Sequence, residues 1–136
     1  MSMEFDLIAP HTLLEGAAAE GEPVDVSASS TRTFLCSLLI SDQIEQESLD
    51  VSIWGSADGQ NWGSRPILKL PQRFYRGETR AVLELTLRPE VKYIRAKWEL
   101  NKWGRGAPVP MFRAGLHLSE VPAMPLPAAV QAALSR

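Results

Sequence analysis

The sequence predicts an all-β fold, an antiparallel β-sandwich that is jelly-roll-like, with about eight strands and a short C-terminal helix. Apolar residues recur at every second position in four separate runs, turn residues separate these runs, and no helical spacing intervenes between them. The chain has 136 residues, of which 45% are hydrophobic and 22% charged. These values suit a single globular domain with its own core.

The four alternating runs are the clearest strand predictions. Apolar side chains in each run would face a core while their neighbours face water. The runs lie at residues 49–53, 81–87, 94–100 and 112–118. In the second run the alternation continues to Leu87, which is therefore expected on the buried face. Weaker strands are expected at 5–8, 24–27 and 67–70.

The stretch from Phe34 to Ile40 is apolar at every position except Ser37. A continuous apolar run is typical of a central strand that is covered on both faces. Cys36 lies in this stretch and is expected to behave as a small hydrophobe. Because it is the only cysteine, no intramolecular disulfide can form. This fits a reducing compartment, and we expect a cytoplasmic protein.

The end of the chain differs in composition from the rest. We expect a β-sandwich domain at residues 1–120, followed at 121–136 by a proline- and alanine-rich linker and a short helix. Pro122, Pro125 and Pro127 favour an extended chain, and residues 128–134 have high helix propensity. Because so short a helix is unstable alone, the segment either docks on the sandwich or a neighbouring subunit, or it frays.

Charge is distributed unevenly along the chain. Residues 1–64 have a net charge of −10 and residues 65–113 a net charge of +8, within a total of −2. If these stretches interleave in one sheet, the charges neutralise across strands, which is our expectation. If they occupy separate faces, the resulting dipole favours self-association. The acidic total makes a nucleic-acid partner unlikely on electrostatic grounds.

The most distinctive local pattern is Ser56-Ala57-Asp58-Gly59-Gln60-Asn61-Trp62. Ser56 and Asp58 can accept backbone hydrogen bonds inside a turn, and Gly59 can adopt positive φ. The pattern resembles the Ser-x-Asp-Gly-x-x-Trp turn of discoidin-like and phage-tail-like β-sandwich modules, and this resemblance implies a β-sandwich. It is also similar to the Asp-box hairpin of sialidase-like propellers, but departs from it because Asp58 and Gly59 are adjacent.

A stabilised hairpin is the expected role of this turn. The alternative is a calcium site that uses oxygens of Asp58 and Asn61. Too few carboxylates lie nearby in the sequence to favour that alternative, and we expect no metal and no cofactor.

Aromatic and basic residues supply the candidates for ligand binding. After the run at 94–100, two glycines let the backbone turn beside an indole and several cations, a combination that can bind anions or sugars. Our expectation is nevertheless that Trp98 belongs to the core and that Trp103 covers an edge of the sandwich; if the loop binds a ligand, Lys102, Trp103 and Arg105 are the candidates. The complete set of ligand-binding candidates is Trp54, Trp62, Tyr75, Lys102, Trp103 and Arg105.

Catalytic patterns are weak in this sequence. Gly55-Ser56-Ala57 lacks the second glycine of a nucleophile elbow, and nothing places a serine, a histidine and an aspartate together. Glu84 and Glu99 both face away from the predicted core, but exposed charges are usual on strands. A small hydrolase that uses His117 or Glu99 is the weakest hypothesis. We therefore expect that the protein is not an enzyme.

We therefore expect a non-catalytic β-sandwich module that acts through protein–protein contact or self-assembly. The uneven charge, the apolar segment at 123–134 and the missing catalytic set favour this interpretation. The alternative is a carbohydrate-binding module that uses exposed tryptophan and tyrosine rings. No run approaches the roughly 18 apolar residues of a membrane helix, so no membrane partner is expected.

Overall fold

Strands form at the places where the sequence alternates. The computed structural model describes residues 3–15, 18–43, 47–102 and 111–122. Over these ranges it contains nine strands: β1 Glu4–Glu15, β2 Ala18–Glu20, β3 Val24–Asp25, β4 Thr33–Gln43, β5 Glu47–Ser56, β6 Leu68–Lys69, β7 Gly77–Glu84, β8 Tyr93–Lys102 and β9 Met111–Glu120. The all-β class is confirmed, and the predicted helix at 128–134 lies outside the described residues.

The strands pack as two antiparallel sheets, so the predicted sandwich is confirmed. The first sheet has the order β1-β9-β4-β7, and the second has the order β2-β8-β5-β6, with β3 also paired to β8. Both β2 and β3 pair with β8, so together they act as one interrupted strand. When β2 and β3 are counted as one strand, the two sheets have the strand order of a jelly roll.

The core lies between the sheets and consists of the inward members of the alternating runs. Phe34 and Phe112 are the largest fully buried side chains. Trp98 packs against the core and is partly buried, as predicted. Truncating a buried aliphatic or aromatic residue of such a core to alanine costs about 2–5 kcal/mol. The other large, fully buried side chains are Leu14, Leu38, Leu49, Ile53, Leu70, Leu83, Leu85, Ile94, Leu116 and Leu118.

The predicted burial of Leu87 was wrong, because this side chain is 90% exposed. Strand β7 ends at Glu84, whose partner Thr33 is the first residue of β4. Beyond Glu84 the Leu85 amide still donates to the Arg32 carbonyl at 2.7 Å and the Leu85 side chain is buried, but no strand pairing continues past this point. The chain turns instead, with the Arg88 amide donating to the carbonyl of Leu85 at 3.0 Å.

The predicted coverage of β4 on both faces was also wrong for the part of the chain that the structure describes. This strand is central, between β9 and β7, and every second residue from Phe34 to Ile40 is buried. On the other side, however, Leu35 is 39% exposed and Leu39 is 44% exposed. A two-layered sandwich has one core, so a central strand still presents its second face outward.

Strands of the acidic and basic stretches pair with one another, as expected. Strand β5 pairs with β8 along its whole length. Glu20 of β2 lies 3.2 Å from Arg95 and 3.7 Å from Lys97, both on β8. The charge of Glu20 is therefore neutralised across strands, whereas Asp50 of β5 lies opposite another carboxylate, Glu99 of β8. Within the described ranges, the structure has no helix long and apolar enough to cross a membrane.

Candidate functional site

The outer side of the first sheet carries exposed apolar side chains. We call Leu35, Leu39 and Val82 the first-sheet face. Leu35 lies opposite Val82 of β7, while Leu39 lies further along β4 opposite Glu78. Val82 is 58% exposed, which makes it the most accessible of the three. These side chains are held on rigid, paired strands, so the face is preformed.

A charged row crosses this face between Leu35 and Leu39. Ser37 of β4 lies opposite both His117 of β9 and Arg80 of β7. The His117 ring bonds Asp6 Oδ1 through Nδ1 and Glu4 Oε1 through Nε2, each at 2.8 Å. These hydrogen bonds, first from Asp6 and then from Glu4, raise the pKa of His117. On the far side, the ion pair with Arg80 lowers the pKa of Glu78.

Strand β1 forms a ridge at one corner of the face. Its pairing with β9 is irregular between Ile8 and Thr12. A Cβ atom on Gly115, the partner of Leu39, would lie 2.8 Å from the Pro10 Cα atom. Only glycine lets the β1 backbone approach this closely. The ridge therefore borders the face beside Leu39.

At the other end of the sheet, a buried carboxylate fixes the end of β9. Glu120 is 3% exposed and accepts hydrogen bonds from the amides of Met3 at 2.9 Å, Ser30 at 2.9 Å and Thr31 at 3.1 Å. The Ser29 hydroxyl donates to it as well. These donors, with Ser29 foremost, lower the pKa of Glu120 to about 2.

Sequence reasoning missed Glu120. Its partners in the 29–31 segment and at Met3 lie 89–117 residues away. No local signal in the sequence marks such a residue, apart from a carboxylate placed at the end of an apolar run. The amide of Val121 donates to the Thr33 carbonyl at 2.8 Å, so the chain is anchored up to this point.

The outer side of the second sheet has a groove instead. Its volume is about 810 Å³, and the polar and aromatic part of its lining is Asp50, Ser52, Trp54, Lys69, Gln72, Lys97, Trp98 and Glu99. The Lys97 ammonium lies 3.9 Å from the centroid of the Trp54 ring. Trp54 Nε1 donates to Ser52 Oγ at 2.9 Å, and Gln72 Nε2 donates to Asp50 Oδ2 at 3.0 Å. The groove thus offers an indole between charged and hydrogen-bonding groups.

The predicted ligand-binding residues are not gathered in one place. Trp54 lines the groove, whereas Trp62 is only 8% exposed beneath Arg95, whose guanidinium carbon lies 4.4 Å from the ring centroid. Tyr75 is 70% exposed and lies beside Phe74, in the segment between β6 and β7.

The remaining candidates follow β8. Lys102 is its last residue, and Trp103 and Arg105 lie outside the described residues. A binding role for these residues stays a prediction. Glu84 and Glu99 belong to different sheets, so the structure does not bring this carboxylate pair together.

The turn after β5 is a stabilised hairpin, as predicted. Ser56 Oγ accepts from the Gly59 amide at 2.9 Å, and Gly59 has a φ of 79°. Asp58 Oδ1 accepts from the amides of Asn61 at 2.8 Å and Gln60 at 2.9 Å. These bonds, with Asn61 foremost, lower the pKa of Asp58 to about 2. In the part of the chain that the structure describes, no cluster of three or more His, Cys, Asp or Glu side chains could hold a metal ion.

Comparisons with known proteins show the fold and no family. No family model and no curated protein matches the chain. A chain in the structure of infectious bursal disease virus, Gx strain, has a similar fold, with a TM-score of 0.50 and 8% sequence identity. The match covers 88% of this chain and 31% of the viral chain, so this chain spans less than a third of that length. At this identity the similarity concerns the fold alone.

Proposed function

We propose that this protein is a non-catalytic β-sandwich module that acts through protein–protein contact and self-assembly. The contact surface is the first-sheet face. The observation that carries the proposal is the uncovered side of β4, where a run typical of two-sided burial leaves Leu35 and Leu39 exposed. Removing such apolar surface from water is favourable by about 25 cal/mol per Å², which offsets part of the entropy cost of association.

The surroundings of the face support the same role. A charged row crosses the face between Leu35 and Leu39, with His117 and its two carboxylates at one end and the Glu78–Arg80 pair at the other. Protein interfaces combine apolar contacts with direct hydrogen bonds, and this face offers groups for both. The similar fold of a chain in a virus structure supports a role in assembly at the level of the fold.

Sedimentation velocity over a concentration series tests the proposal. The wild type should associate as concentration rises, and Val82→Lys should suppress association because a charge would be buried at the contact. Leu87→Lys is the matched control, since Leu87 is also an exposed aliphatic residue but lies outside the face. A wild type that stays monomeric throughout, or equal association of all three proteins, would overturn the proposal.

Carbohydrate binding in the second-sheet groove is the second candidate function. Trp54 lines this groove together with acceptors and donors from Asp50, Gln72 and Lys97. Sugars bind where an aromatic ring can stack on the pyranose and polar groups can bond its hydroxyls. The Lys97 ammonium stands at one ring face, so a sugar would have to use the other face or displace the lysine.

A glycan array distinguishes this candidate from the first. Trp54→Ala should abolish any sugar-dependent signal, whereas Tyr75→Ala removes an exposed ring outside the groove and should leave the signal unchanged. An array without sugar-dependent binding by the wild type would remove this candidate and leave the protein-contact proposal intact.

A further inference from the structure

We infer that strand β7 pairs along its open edge with β7 of a second copy of this chain. The inference goes beyond the proposed function, because this contact uses the edge of the first sheet rather than its outer side. In the part of the chain that the structure describes, β7 ends the order β1-β9-β4-β7 and pairs with β4 alone. A strand in this position can accept a further strand through its backbone.

The outer residues of β7 direct their backbone groups at this edge. The Leu85 amide donates to the Arg32 carbonyl at 2.7 Å. Every second pair of an antiparallel ladder exchanges hydrogen bonds, so the odd-numbered residues of β7 bond β4. The even-numbered residues, among them Arg80, Val82 and Glu84, therefore direct their amides and carbonyls away from β4. These are the groups that a further strand would bond.

The side chains of the same residues favour one register. Two β7 strands related by a two-fold axis run antiparallel, so each outward residue meets an outward residue of the other copy. When Val82 faces its own copy, Arg80 faces Glu84 on both sides of it. Arg80 bonds Glu78 of its own strand through Nε, so its terminal nitrogens can bond Glu84 as well. This register joins an apolar pair to two ion pairs, and both kinds of cross-strand pair are stabilising.

The neighbouring registers fit less well. A centre on Arg80 sets this guanidinium against its own copy. Moving the centre one residue toward the end of the strand sets Glu78 against Glu84, and like charges in opposite positions are destabilising. Moving it one residue the other way pairs Glu78 with Arg80 but leaves Val82 opposite Arg76, which precedes β7. The register centred on Val82 therefore combines complementary charge with apolar contact.

This pairing joins the first sheets of two copies into one continuous sheet. Leu35 lies opposite Val82 within each copy, so an apolar row of four side chains would cross the junction on the outer side. On the inner side, Ala81 would lie opposite Leu83, and both of these residues pack in the core of their own copy. The two-fold axis closes the assembly, because each copy uses its one β7 edge.

Charge reversal tests the register. Arg80→Glu and Glu84→Arg each turn two attractive pairs into two repulsive ones. In sedimentation velocity, each should raise the apparent dissociation constant at least about tenfold. An equimolar mixture of these two variants should recover heterodimers, because every charged pair across the junction is then opposite in sign. Glu78→Arg is the matched control, since it makes the same charge change on β7 outside the paired residues, and it should behave as wild type.

Amide hydrogen exchange tests the edge in the wild type itself. The Val82 amide lies at the open edge, whereas the Leu83 amide bonds β4. Exchange of the Val82 amide, followed by NMR, should slow as protein concentration rises. The Leu83 amide should be protected at every concentration. Association through the outer side of the sheet would leave exchange of the Val82 amide independent of concentration.

The outcomes separate the inference from the proposed function. If the wild type associates, but the reversal variants associate equally and Val82 exchange does not slow, the inference is wrong and the proposed function stands. If the reversal variants lose association and the mixture regains it, while Leu39→Lys associates as wild type, the inference stands and the first-sheet face is not the contact surface. A wild type that stays monomeric overturns both.

Two further outcomes would overturn the pairing of β7 with β7. One is a mixture of the reversal variants that stays monomeric although each variant alone lost association. The other is a loss of association in Glu78→Arg as large as the loss in Glu84→Arg, which would mean that the effect comes from the net charge of the strand rather than from the register.

Discussion

Glu120 and Asp58 both have a pKa lowered to about 2, and both accept backbone hydrogen bonds, yet they hold different parts of the chain together. Asp58 is exposed and bonds the amides of Gln60 and Asn61, two and three residues along the chain. Glu120 is buried and bonds Met3, 117 residues away, and the 29–31 segment. A carboxyl pKa lowered to about 2 therefore occurs in a local turn in one place and at a junction of three distant segments in the other.

The largest effect is expected from Glu120→Ala. Removing the carboxylate leaves the hydroxyl of Ser29 and the amides of Ser30 and Thr31 without their acceptor in a partly buried site. We expect the free energy of unfolding to fall by about 2–4 kcal/mol in a urea titration. Glu90→Ala, an exposed glutamate, is the control and should stay within about 0.5 kcal/mol of wild type. Similar losses in the two variants would contradict the junction role.

The same junction should weaken in acid. A carboxylate whose folded pKa lies below its unfolded value stabilises the fold above the unfolded pKa, and the contribution is lost as pH falls through the folded pKa. For Glu120 this window runs from its ordinary value of 4.5 down to about 2. Urea titrations across the window should show a shallower pH dependence for Glu120→Gln than for wild type. Parallel curves for the two proteins would show that Glu120 is not the titrating group.

The contrast also explains what could be predicted from sequence. The hairpin was predictable because Ser56, Asp58 and Gly59 lie within four residues, and their turn chemistry is local. The alternating runs likewise predicted the inward members of the strands, since side-chain direction follows the backbone period. Glu120 was not predictable, because its partners depend on which strands become neighbours in the sandwich.

Sequence also failed to predict where burial ends along a strand and which groups surround the candidate site. Periodicity assigned Leu87 to the core, but burial along this run stops after Leu85, where the chain turns away from the sheet. The sequence pattern identified Trp54 and Trp62, whereas the cations that stand over their rings, Lys97 and Arg95, come from β8. Trp54 lies on β5, and the pairing of β5 with β8 brings Lys97 beside it; Trp62 lies after β5, and local sequence carries no signal for either contact.

Asp58→Ala should have a smaller effect than Glu120→Ala. The turn amides of Gln60 and Asn61 would lose their acceptor, but they are exposed and water can replace it. We expect a modest decrease in the urea midpoint and faster hydrogen exchange of these two amides by NMR. Exchange of the Phe34 amide, near the start of β4 in the first sheet, should not change. Equal destabilisation by the two alanine variants would mean that the local turn matters as much as the long-range junction.

The smallest effect is expected at His117, with the opposite dependence on pH. Hydrogen bonds to Asp6 and Glu4 raise its folded pKa above the ordinary 6.5. Its contribution to stability is therefore complete below pH 6.5 and is lost as pH rises through the raised folded pKa. The imidazole is 42% exposed, so solvent screening keeps the change small.

His117→Gln tests this dependence by removing the titrating group while keeping a polar side chain. Thermal unfolding should show wild type losing its advantage over the variant as pH rises above 6.5. A difference that stays constant with pH would show that the two carboxylates do not hold the proton on the imidazole. Loss of that proton leaves Glu4 and Asp6 without a cationic partner in the row beside Leu35. If the first-sheet face mediates association, its apparent dissociation constant should therefore change over the same pH range, and His117→Gln should remove the change.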